Sequence, residues 1–113
     1  MILTLTRSKL PPDVDVLALS GRLIMGNNSR DVELALNDLL PASRKIIFDV
    51  THLTMIDSTG VGILVVAHGR INKEGAKLRI AGAHGLVEKL LKMTSVDKLI
   101  EVHPTVEAAA ASF

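Results

Sequence analysis

The chain has 113 residues, 48% of them hydrophobic and 22% charged, with 8 glycines and 4 prolines, which is the size of one domain around one core and excludes bulk disorder or a long linker. Its 13 basic and 12 acidic residues leave a formal charge of +1, and its only aromatics are the 2 phenylalanines Phe48 and Phe113, so neither a diffuse pull on polyanions nor a stacking platform for bases is present. Cysteine is absent, which removes disulfides, thiolate metal sites and cysteine nucleophiles and fits a reducing compartment.

Ile2, Leu3 and Leu5 form a short apolar edge, and Pro11-Pro12 with Asp13 interrupts it as a turn. The alternating run Val14 to Ser20 follows, so the two segments predict a hairpin. Gly21 ends this strand, and Gly26-Asn27-Asn28-Ser29 supplies loop and capping residues before a helix whose apolar positions are Val32, Ala35, Leu36, Leu39 and Leu40, stopped by Pro41. The continuous run Ile46-Ile47-Phe48-Asp49-Val50 predicts a central strand covered on both faces. After the turn at Thr51-His52-Leu53, Met55-Ile56 leads into Asp57-Ser58-Thr59-Gly60 and a helix from Val61 to about Asn72, with Val61, Leu64, Val65 and Ile71 on one face and Ile63 and Val66 off it. Gly75 caps that helix. A strand over Lys77 to Ala81, a helix around Leu86 to Leu91, a short strand at Leu99-Ile100 and an alanine-rich helix from Thr105 to Ala111 complete the chain. The alternation predicts an α/β domain, a mixed sheet of four to five strands with helices packed against it. The alanines from Ala108 to Ala111 and the apolar excess of the Val61 helix suggest contacts beyond the monomer core.

No apolar stretch reaches more than about half of the roughly 20 residues of a membrane span, and the first residues carry no signal-peptide pattern. The expectation is a cytoplasmic protein with no membrane span and no direct contact with nucleic acid.

The 4 histidines, His52, His68, His84 and His103, include no pair at helical metal-ligand spacing. No metal is expected. His68 follows Val61, Leu64 and Val65 on an apolar helix face and reads as a partly buried imidazole. Ser58 stands where a strand turns into a helix, as a hydrolase nucleophile does, but its neighbours Ile56-Asp57-Ser58-Thr59-Gly60 lack both flanking glycines of Gly-x-Ser-x-Gly. Gly60-Val61-Gly62 lacks the Gly-Lys-Ser/Thr of a phosphate loop. Two readings of Asp57-Ser58-Thr59 stand. The three side chains are helix caps, each able to accept from a free backbone N–H at a gain of about 1 kcal/mol. Alternatively one caps and the hydroxyls serve a modifying enzyme, because a phosphate there would be stabilised by the helix dipole while repelling a docked partner.

The segment Ile46-Ile47-Phe48-Asp49-Val50, Leu53 and Met55 to Leu64, containing Asp57-Ser58-Thr59-Gly60-Val61-Gly62, resembles the strand, turn and Asp-Ser-Ser/Thr-Gly-Leu-Gly segment of the anti-sigma-factor antagonists built on the STAS domain. Leu19 to Leu23 and Leu91 to Leu99 extend the resemblance over nearly the whole length, implying one STAS domain across residues 1–113. It implies a non-enzymatic regulator of transcription without a cofactor. The unmodified antagonist captures an anti-sigma factor that is also a serine kinase, phosphorylation releases it, and a PP2C-type phosphatase resets the cycle. Ser58 is then the phosphoacceptor, with Thr59 the second choice and Asp57 and Gly60 its environment. The partner surface would comprise Gly21, Leu23, Ile24, Asn27, Asn28, Ser58, Thr59, Val61 and Gly62. The family's second implication is a STAS scaffold or subunit, never phosphorylated, in a stress-signalling or membrane-associated assembly. Two departures stand out. Ile24 follows Gly21-Arg22-Leu23 where an acidic residue is common in the family, which bears on kinase recognition, and Ser95 stands where glycine is common, which bears on a helix end.

Overall fold

The computed structural model describes residues 2–26 and 28–113. Strands β1 (Thr4–Leu10) and β2 (Val14–Leu23) form the antiparallel hairpin, joined at the cis Pro11-Pro12 turn. They are followed by α1 (Asn28–Leu39), β3 (Lys45–Asp49), β4 (Leu53–Ile56), α2 (Ser58–Lys73) and β5 (Lys77–Ala81). Helices α3 (Gly85–Met93) and α4 (Val96–Leu99), strand β6 (Glu101–His103) and helix α5 (Val106–Ala111) end the chain. The strands make a 6-stranded mixed sheet in the order β1-β2-β3-β5-β6, with β4 paired to β2 off this path.

The 10-residue β2 is long because it serves two partners. Val14 to Ala18 pair with β3, and Gly21 to Leu23 pair with β4 across a register shift between Gly21 and Arg22. Gly21 has φ +99, and a Cβ there would strike the Ile2 carbonyl oxygen, so a side chain is excluded on two grounds.

Strand periodicity divides the interior in two. Leu17, Leu19, Leu23, Ile46 and Phe48 point to one face, where they meet Val32, Leu36 and Leu39 of α1, Leu64, Ala67 and Ile71 of α2, and Val87 and Leu91 of α3. Val14, Val16, Ile47 and Ala81 point to the other, where Ala109 of α5 closes over them with Phe113 at the margin. Phe48 and Ile47 are both fully buried, as a strand covered on both sides requires. Arg79 staples α5 down: its guanidinium lies 4.7 Å from the Phe113 ring centroid, its Nε donates to Ser112 Oγ at 2.9 Å, and its Nη2 is 3.3 Å from Glu101.

Several expectations are corrected here. The alanine tail serves its own chain, since Ala109 is wholly buried on the second face of the sheet. Ile63 and not Val65 lies on the buried stripe of α2. Leu99 closes the helical turn α4 and Ile100 leads out of it, so the last strand begins at Glu101 and the sheet holds one strand more than the upper expectation. The apolar pair Leu99-Ile100 fits a strand and the end of a helical turn equally well, and packing of Val96 and Ile100 into the main core decides between them. Among the described residues no helix is long and apolar enough to cross a membrane.

Candidate functional site

Helix α2 begins at Ser58, immediately after β4, with Asp57 as its N-cap in extended conformation. Asp57 Oδ1 accepts from Gly60 N at 2.8 Å. Its second oxygen, Oδ2, accepts from Met25 N at 3.1 Å, in the loop between β2 and α1. The Gly60 amide foremost, with help from those of Met25 and Thr59, holds the Asp57 carboxyl below its usual range against the opposing effect of desolvation. Asp57 is therefore a carboxylate at neutral pH.

The capping role is thus filled by one residue. Ser58 and Thr59 are both exposed, and among the described residues neither hydroxyl is held in a hydrogen bond. Both stand on the first turn of α2, at the positive end of its dipole.

Gly60 is buried, and a Cβ on it would run into the Leu23 carbonyl oxygen and lie 2.7 Å from Ile56 Cγ1. The lack of a side chain lets the α2 backbone lie against the end of β2, which fixes the height of the Asp57–Gly60 turn over the sheet. Gly62 is the opposite case: it is exposed, and a Cβ would meet nothing within 4 Å. It lies at the edge of a groove of about 740 Å³ between α1 and α2, floored by Val32, Leu36, Ile63 and Ala67 and flanked by Thr59 and the exposed Val66. Arg70 bridges the far end, with Nη2 donating to Asn37 Oδ1 at 2.6 Å.

The residues expected on a partner surface divide into three groups. Ser58, Thr59 and Gly62 are exposed and adjacent along the start of α2. Gly21, Leu23 and Val61 are buried, Leu23 at 0% exposure and Val61 at 7%, so their side chains or backbone support the surface from below and present nothing to a partner. Ile24 and Asn28 are half-buried, and the Asn28 amide turns inward, its Nδ2 donating to the carbonyls of Arg22 at 2.9 Å and Ile24 at 3.0 Å. Asn27 lies outside the described residues. Met25, inside the loop that the sequence points to but not singled out by it, has a side chain 76% exposed. No local pattern marks it, because its link to Asp57 spans 32 positions.

His68 is half-buried on α2, its Nε2 2.9 Å from Asn72 Nδ2, and desolvation lowers its pKa, so it is a neutral acceptor. Among the described residues no group of three His, Asp or Glu side chains could hold a metal.

The STAS domain family model matches residues 7–109. An anti-sigma factor antagonist from Mycobacterium paratuberculosis shares the fold with a TM-score of 0.84 at 20% identity, over 98% of this chain and 93% of the other. The STAS domain of the SulP transporter from Vibrio cholerae gives 0.76 at 25% identity, over 93% and 84%. The Bacillus cell fate determinant SpoIIAA in its phosphorylated form gives 0.71 at 15% identity, over 96% and 98%. The family model spans nearly the whole chain and the fold is shared with these three structures: this chain belongs to the STAS domain family.

Proposed function

We propose that this protein is an anti-sigma-factor antagonist that works by partner switching. Unmodified, it captures an anti-sigma factor that is also a serine kinase; phosphorylated at Ser58, it lets go and so controls sigma-factor-dependent transcription. A PP2C-type phosphatase restores the capturing form. The observation that carries this reading is the division of labour at the start of α2, where Asp57 alone caps the helix and leaves the Ser58 hydroxyl exposed and uncommitted. A phosphoryl group there brings roughly −1.5 to −2 charges. The amides of the first turn and the helix dipole stabilise that charge, so the fold tolerates it, whereas an apolar partner seated over Gly62 and Val66 would have to desolvate it. Thr59 is the second acceptor. The phosphorylated form of SpoIIAA, a protein of the same fold, supports the choice of chemistry.

The protein is incubated with its cognate kinase and ATP and weighed intact. One added phosphate that Ser58→Ala abolishes is expected, together with loss of capture in Ser58→Asp at an unchanged melting temperature. No phosphate, combined with undiminished capture by Ser58→Asp, refutes the switch. That outcome is the one expected for a second reading, a STAS subunit of a larger assembly that is never phosphorylated, which the likeness to the SulP transporter domain favours.

A further inference from the structure

Both oxygens of the Asp57 carboxylate are in use, and they serve different elements. Oδ1 holds Gly60 N within α2, and Oδ2 holds Met25 N in the β2–α1 loop. That loop has few other ties among the described residues. Asn28 Nδ2 gathers the carbonyls of Arg22 and Ile24, and the Met25 side chain is 76% exposed and anchors nothing. Among the described residues the Met25 amide is thus the one point at which the loop is fastened to the acceptor turn itself.

We propose that Asp57 is a positioning residue that clamps the β2–α1 loop against the acceptor turn, and that a phosphate on Ser58 loosens the clamp, so that modification changes two segments of the docking surface and not one. Ser58 is the next residue in the chain. A phosphate on it repels the neighbouring carboxylate and presents three strong acceptor oxygens to the same first-turn amides. The Asp57 carboxylate is pushed from its shared position, and the weaker and longer of its two bonds, that to Met25 N at 3.1 Å, yields first. The Gly60 bond survives longer because it lies within the helix it caps. The rest of the sheet is unaffected, since neither bond reaches the core.

The inference rests on Ser58 as the modified residue, and its test needs no kinase. Amide hydrogen exchange is measured by NMR on the full chain in three forms: wild type, Asp57→Asn, and a chain with phosphoserine incorporated at position 58 during synthesis. Asn keeps one acceptor oxygen for the Gly60 cap but turns a donor toward the Met25 amide. Exchange at Met25 N is expected to rise about tenfold in both altered forms, the effect of one lost hydrogen bond, while the amides of Ile47 and Phe48 in β3 keep their wild-type rates. Wild-type exchange at Met25 in the phosphoserine chain overturns the proposal, as does an equal acceleration in β3. Asp57→Ser, which caps but is too short to reach Met25, is the substitute should Asp57→Asn unfold. A kinase assay that leaves Ser58 unmodified would refute the switch and leave the clamp standing; unchanged Met25 exchange does the reverse.

Discussion

The two glycines of the first turns of α2 carry opposite expectations for one and the same substitution. At Gly62 an added Cβ meets nothing within 4 Å, so Gly62→Ala gains the intrinsic helix preference of alanine, about 1 kcal/mol. At Gly60 the same methyl group runs into the Leu23 carbonyl oxygen and stands 2.7 Å from Ile56 Cγ1. The carbonyl belongs to the end of β2, which pairs with β4 and cannot turn aside, so the clash is relieved only by lifting α2 from the sheet. Overpacking of this kind costs about 1–3 kcal/mol, and against backbone it falls at the upper end. After subtracting the alanine preference, Gly60→Ala should lose about 2 kcal/mol. The two variants are then separated by about 3 kcal/mol, which for a domain of this size is roughly 12 °C in melting temperature. Thermal unfolding followed by circular dichroism, with urea midpoints as a second measure, checks the sign and the size. Equal melting temperatures, or a Gly60→Ala variant more stable than the wild type, would refute the account of α2 as a helix seated against the end of β2 by the lack of a side chain.

Ser95 precedes α4 with φ 61, the one non-glycine residue at positive φ among the described residues, and Ser95→Gly should raise stability by about 0.5–1 kcal/mol, read as a higher urea midpoint at unchanged slope. Because the Asp57 carboxyl is depressed in the folded state, its contribution to stability is complete above the unfolded-state value of about 3.9 and is lost as pH falls through the lower folded-state value. The stability difference between wild type and Asp57→Ala, about 1 kcal/mol for an N-cap, should therefore be constant from pH 5 to pH 7 and shrink below pH 4, as followed by urea titrations across that range.

Much of the fold is legible in local patterns. The period-2 run from Val14, the aliphatic block Ile46 to Val50 and the 3.6-residue spacing from Val32 to Leu39 each specify an element, because they report which faces of a short segment avoid water. The capped turn from Asp57 to Gly60 is legible for the same reason: a run of capping residues between a strand and an apolar helix is a chemical statement made by neighbours in sequence. Ser95 stands where the resemblance leads one to expect glycine, and its left-handed backbone at φ 61 is a conformation that favours glycine.

Other features depend on partners distant in the chain. Val65 and Ile63 are equally apolar and two positions apart, and only the placement of α2 over the sheet and beside α1 decides that Ile63 is buried at 8% exposure while Val65 stands at 38%. The alanines of α5 look like a surface for another molecule until the second face of the sheet, bare without them, is seen to need a cover thin enough to lie close. The bond from Met25 to Asp57 exists because β2 forks and carries its exit loop to the end of β4, a meeting of residues 32 positions apart. Local composition determines which segments become helix or strand and where a hydroxyl can stand free; the order in which those segments pair determines what stands next to it, since nothing short of the assembled sheet brings the two loops together.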